Sequence, residues 1–136
     1  MSACKDLEVI EDYCFSYCTN LSLKGQDLPS GITKLGESSF MENYNLILDF
    51  ATNRALTELG RQAFYRSPNV TVKNLPMNLE KIDDYCFQTT NPLGTLMFTS
   101  IPGTLKTLGS GVFKGCYINS GILDFHKCTD LTNESF

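Results

Sequence analysis

A chain of 136 residues, with 11 basic residues against 15 acidic ones and a net charge of −4, fits one domain with a modest core. The acidic balance argues against nucleic-acid binding, which needs a basic stripe to neutralise phosphates, and against adsorption to an anionic membrane surface. No run approaches the roughly 20 apolar residues of a membrane span, so membrane insertion is not expected. The opening stretch MSACKDLEVIEDYCF lacks the basic flank and apolar run of a secretory signal. That points to an intracellular protein or to a piece cut from a longer one.

Taken in chain order, the elements repeat. Leu7 and Ile10 lead to Phe15, then a polar turn at Asn20, then Leu21 and Leu23 in alternation, then Leu28-Pro29. Alternation of period two over so few residues predicts a short strand with one face buried. Proline cannot donate to a ladder and marks where the strand ends. The second unit runs Ile32, Leu35, Phe40, Asn45, Leu46 and Leu48, then Asp49-Phe50 without a proline. The third runs Leu56, Leu59, Phe64, Asn69, Val70 and Val72, then Leu75-Pro76. The fourth runs Leu79, Ile82, Phe87, Asn91, Leu96 and Phe98, then Ile101-Pro102. The fifth runs Leu105, Leu108, Phe113, Asn119, Leu123 and Phe125, again without a proline, and a sixth opens with Cys128, Leu131 and Phe136.

The phase is kept by the six phenylalanines, spaced 25, 24, 23, 26 and 23 residues apart. An aliphatic stands five residues before each, and a small or medium residue (Cys14, Ser39, Ala63, Cys86, Val112, Ser135) immediately before. Self-similarity at such a period is the signature of a solenoid, in which no unit buries its own apolar face and neighbours share one core. The phenylalanines fill that core, the small residue leaves room for the next ring, and Gly36, Gly60 and Gly109 follow the aliphatic where a sharp turn is expected. Glu11, Asp83 and Thr132 take that phase in other units and are expected to act as caps.

The pattern L-P-x-x-L-x-x-[IL]-G-x-x-x-F, clearest in residues 75–87, 101–113 and 28–40, resembles the BspA-like leucine-rich repeats from Leu7 to Phe136. The second and fifth units depart from it in lacking the proline. The resemblance implies an α/β repeat: a short leucine-rich-repeat solenoid with a parallel β-sheet on the concave face and irregular or short-helical returns on the convex face. One array over residues 1–136 is expected, with about five to six repeats of 23–26 residues and no recognisable cap at either end.

The residues that invite a chemical reading fit structural roles better. Cys14 and Cys18 with His126 are the candidate metal set. They fall in the first and fifth units, roughly 20 Å apart at ~4.8 Å per stacked strand. Zinc needs about four close ligands, so no metal is expected. The same separation excludes Cys14–Cys86 and Cys18–Cys116 disulfides, whose Cα atoms must lie within about 7 Å. Cys14, Cys18, Cys86, Cys116 and Cys128 sit in repeat phase and are expected to be reduced and buried, as small hydrophobes; Cys4 lies outside the phase. A Cys128–His126 pair would face opposite sides of a strand. The sequons at Asn20, Asn69 and Asn133 are expected to be accidents of the repeat, Asn20 and Asn69 bonding the backbone of adjacent turns along with Asn45. Asp83-Asp84 and Glu11-Asp12 fall at matching repeat positions, as turn residues do. No phosphate-binding loop, dinucleotide fingerprint or nucleophile elbow is present, so no cofactor and no enzymatic activity are expected.

Solenoids offer an extended surface in place of a pocket. The outward row between the buried strand residues comprises Lys24, Asp49, Thr71, Lys73, Met97, Thr99, Asp124 and His126. Mixed in charge, it suits a protein or glycan ligand better than a phosphate polymer. Two functions follow as expectations: a binding module of a cell-surface or adhesion-type protein, which the resemblance implies, or a structural subunit that self-associates end to end in a larger assembly.

Overall fold

A computed structural model describes residues 4–88 and 101–116. The chain coils, and the described strands form two parallel ladders. The first ladder joins β1 (Val9–Ile10), β3 (Lys34–Leu35), β5 (Glu58–Leu59), β7 (Lys81–Ile82) and β8 (Thr107–Leu108), in the order β1-β3-β5-β7-β8. The second joins β2 (Ser22–Gly25), β4 (Asn45–Leu48) and β6 (Thr71–Val72), in the order β2-β4-β6. Register is strict: Ile10 pairs with Leu35, Leu35 with Leu59, Leu59 with Ile82 and Ile82 with Leu108. The aliphatic five residues before each phenylalanine therefore heads its own ladder, which the alternation argument had not assigned to a strand. The strand segments foreseen around Leu96–Phe98 and Leu123–Phe125 lie outside the described residues.

The helical character implied by the resemblance is corrected. Among the described residues there is no helix, and the architecture is a parallel-strand β-solenoid. The reason lies in the return around each phenylalanine. Two residues before it, Tyr13, Ser38, Gln62 and Tyr85 take φ between 52° and 58°, and Gly111 takes 59°. Two residues after it, Tyr17, Glu42, Arg66 and Gly115 are again left-handed. Left-handed residues at every fourth position forbid a continuous right-handed helix, at about 1–2 kcal/mol for each side chain carrying a Cβ. The alternation turns successive N–H groups in opposite directions. Tyr13, Phe15 and Tyr17 donate to the carbonyls of Glu37, Ser39 and Met41 in the next coil, each at 2.8 Å, while Cys14, Ser16 and Cys18 donate locally, three residues back. The pattern recurs at Ser38, Phe40 and Glu42, and at Gln62, Phe64 and Arg66. Each strained turn thus gains an inter-coil ladder of its own, so the returns stack as regularly as the strands.

The rings of Phe15, Phe40, Phe64, Phe87 and Phe113 form one stack, with centroids 5.3, 5.7, 5.4 and 5.8 Å apart and planes within 15° of parallel. Phe40, Phe64 and Phe87 are fully buried, among Ile32, Leu35, Leu56, Leu59, Leu79 and Ile82. Phe136 and Leu131 lie outside the described residues. Where the second unit lacks its proline, Asn53 holds the equivalent corner: its carbonyl accepts the Leu56 N–H, as those of Pro29, Pro76 and Pro102 accept from Ile32, Leu79 and Leu105. The buried Asn53 amide also donates to the Pro29 carbonyl of the preceding coil at 3.1 Å.

Two further expectations are revised. Gly36 and Gly60 are required by close approach, since φ at neither is left-handed. A Cβ on Gly36 would lie 2.6 Å from the Asp12 nitrogen, and one on Gly60 2.6 Å from the Gly36 carbonyl carbon. The described cysteines are unbridged, yet only Cys86 among them is buried; Cys18 and Cys116 are half-buried, Cys4 and Cys14 are exposed, and Cys128 lies outside the described residues. The residues in Cys14's phase, Ser39, Ala63 and Cys86, are fully covered because each has a coil on either side, whereas Cys14 belongs to the first described coil. Burial pushes the Cys86 thiol far above its ordinary value, with the nearby Asp83 adding to the shift, so it packs as a neutral group.

Candidate binding surface

Alternation positions the surface. In β4, Leu46 and Leu48 point inward and are buried, which turns Asn45 and Ile47 outward and exposes them. Leu23 and Val72 are the buried counterparts in β2 and β6. Register then aligns Ser22 with Asn45, and Lys24 with Ile47 and Thr71. With Asn69 two residues ahead of Thr71, the outer face becomes a grid of three strands by two rows, about 4.8 Å apart across strands and ~6.6 Å along them. The grid and the Tyr44 ring border a depression of about 540 Å³.

The eight residues expected on this row fare differently. Lys24 and Thr71 line the depression. Asp49 sits beside it, its Oδ1 accepting the Ala51 N–H at 3.0 Å and the Asn74 amide at 3.0 Å, which makes it a corner-holding group. Lys73 is exposed and its N–H donates to the Leu48 carbonyl at 2.8 Å. Met97, Thr99, Asp124 and His126 lie outside the described residues. Sequence reasoning passed over Ser22, Tyr44, Asn45, Ile47 and Asn69, although for Ile47 the signal was present, since inward Leu46 and Leu48 require it to face out. Asn45 bonds a neighbouring turn as expected, its Nδ2 donating to the Thr19 carbonyl at 3.3 Å. Asn20 and Asn69 differ: both side chains are exposed, because the amides that hold the turns belong to the buried Asn43 and Asn53 instead.

The five-stranded ladder has a contrasting outer face. Lys34, Glu58 and Lys81 stand in register across β3, β5 and β7, and the Glu58 carboxylate lies 3.6 Å from the Lys34 ammonium and 3.8 Å from that of Lys81. Lys81 also reaches Asp83 at 3.4 Å, and Lys106 pairs with Glu80 on the same side. On the turns, Arg61 pairs with Glu37 and Arg66 with Glu42. Apart from Lys81–Asp83, these pairs join neighbouring coils.

Beneath the turns runs a polar seam that sequence reasoning also missed. Three residues after the phenylalanine, the buried Asn43 donates from Nδ2 to the Phe15 carbonyl at 2.7 Å. Ser67 Oγ donates to the Phe40 carbonyl at 3.1 Å and Cys116 Sγ to that of Phe87 at 2.6 Å. Each closes a backbone acceptor of the preceding coil. Asp12 and Asp84 act likewise on the exposed side, accepting the N–H groups of Glu37 and Ser110 at 2.8 Å, which makes the acidic doublets turn residues in geometry. Among the described residues no cluster of His, Cys, Asp and Glu gathers where a metal could be held.

The chain matches no curated protein and no solved structure. The family described as BspA type leucine-rich repeat region, in 6 copies, matches residues 2–120. Repeats of this kind commonly serve as binding modules and are typically non-enzymatic. The stacked phenylalanines, the paired ladders and this match over most of the sequence agree: the chain belongs to the BspA-type leucine-rich repeat family.

Proposed function

We propose that the chain is a non-enzymatic binding module for a protein or glycan in a cell-surface or adhesion-type protein. It engages its ligand through the outer face of β2, β4 and β6. One contrast carries the reading. The outward row of the five-stranded ladder consumes its charges in cross-coil ion pairs, whereas Lys24, which lines a depression with Ile47 and Thr71, takes part in no ion pair among the described residues. Ile47 is exposed between polar neighbours and so is open to a ligand.

The test is a panel of matrix proteins and glycans presented to the immobilised chain, with Ile47→Glu as the face-blocking variant. Binding lost in Ile47→Glu, with an unchanged circular-dichroism spectrum, supports this face. Binding that survives at full strength moves the site elsewhere on the solenoid.

A further inference from the structure

We propose that the depression over β2, β4 and β6 receives an acidic saccharide, a pyranose ring carrying a carboxylate; the inference rests on that face being the binding surface. Of the side chains lining the depression, Lys24 alone carries a charge, in a chain whose net charge is −4. The cations at Lys34, Lys81, Arg61, Arg66 and Lys106 have carboxylate partners, whereas Lys5, Arg54, Lys73 and Lys114, like Lys24, have none among the described residues, and of these Lys24 is the one lining the depression. Lys24 has no ion pair, and the nearby Asp27 directs Oδ2 to the Lys24 backbone N–H at 2.7 Å. A lysine ammonium that holds no carboxylate of its own complements an anionic group on the ligand.

The rest of the lining is suited to a sugar. Ile47 and the Tyr44 ring offer hydrocarbon and aromatic surface to the C–H face of a pyranose. Ser22, Asn45, Asn69 and Thr71 surround them with hydroxyl and amide groups that both donate and accept, as sugar hydroxyls require. The volume of about 540 Å³ falls within the ~300–1,000 Å³ usual for small-ligand sites. A protein partner fits less well, because protein interfaces draw their energy from a cluster of buried anchors and this face offers two large side chains, Ile47 and Tyr44, among polar ones.

The test is titration of the ¹⁵N-labelled chain with a hyaluronan tetrasaccharide, which carries uronic acids, and with neutral maltotetraose. The uronate ligand is expected to shift amides in 22–25, 45–48 and 71–72. Its affinity should fall with added salt and roughly tenfold in Lys24→Gln, the scale of a hydrogen bond to a charged group. Lys114→Gln, an exposed lysine outside the face, should leave it unchanged. Equal binding of both tetrasaccharides to this face, indifferent to Lys24→Gln, overturns the acidic class and leaves the face standing. Shifts confined to other coils overturn both readings. No shifts with either sugar overturn the saccharide inference, while the face itself is then decided by protein ligands and Ile47→Glu.

Discussion

Replacing Phe64 by alanine should damage this protein more than any single change at its periphery. Phe64 is fully buried, and its ring lies between Phe40 at 5.7 Å and Phe87 at 5.4 Å. Truncating a buried phenylalanine costs about 3–5 kcal/mol through lost transfer energy and the cavity left behind. Two stacked pairs vanish with it, each worth about 0.5–1.5 kcal/mol beyond area, which places the loss at the upper end of that range. Phe15 is only half-buried and stacks on Phe40 alone among the described rings, so Phe15→Ala should cost less than half as much. Urea denaturation followed by far-ultraviolet circular dichroism measures both. Total stability of a domain this size is about 5–15 kcal/mol, so Phe64→Leu is the companion variant if Phe64→Ala fails to fold. A Phe64→Ala curve within about 1 kcal/mol of the parent, or a loss no larger than that of Phe15→Ala, would refute the shared aromatic core, since a central cavity cannot collapse so cheaply.

Three other outcomes are expected. Asn43→Ala should destabilise by about 1–3 kcal/mol, because it leaves the Phe15 and Phe40 carbonyls without their amide donor in a buried seam; the same denaturation assay measures it. Gly60→Ala should be more harmful than an ordinary surface substitution, by at least ~2 kcal/mol, since its Cβ would lie 2.6 Å from the backbone of the preceding coil; a thermal melt indistinguishable from the parent contradicts the close approach. Native-state alkylation followed by mass spectrometry should modify the exposed Cys4 and Cys14 first and leave Cys86 unreacted until denaturant is added, because its thiol is buried and held neutral.

Much of this architecture was legible before any coordinates. The six phenylalanines in phase, the aliphatics five residues ahead of them and the alternation at Leu46 and Leu48 announce a stacked repeat, because periodic burial leaves a periodic trace in composition. The family follows from the same positions. The candidate face was legible in part: Lys24 and Thr71 follow from period two, and Ile47 was within reach of the same argument. What escaped was conformation without a compositional signature. Tyr13, Ser38, Gln62 and Tyr85 share a left-handed backbone yet share no side-chain type, so no pattern at that position warned against a helical return. Those turns are held from outside, by N–H groups donated to the next coil, a force that no single unit contains.

The same distinction separates Cys14 from Cys86. Both are small residues ahead of a phenylalanine, and only their place in the stack makes one exposed and the other buried. Gly36 and Gly60 read as turn residues in sequence; the neighbouring coil, packed 2.6 Å from where a Cβ would stand, is what demands them. Sequence alone determined the period, the shared core and the inward face of each strand, since these depend on which residues avoid water. Tertiary structure decided the five-stranded ladder, the handedness of the returns and which charges remain unpaired, since these depend on groups meeting across coils more than twenty residues apart.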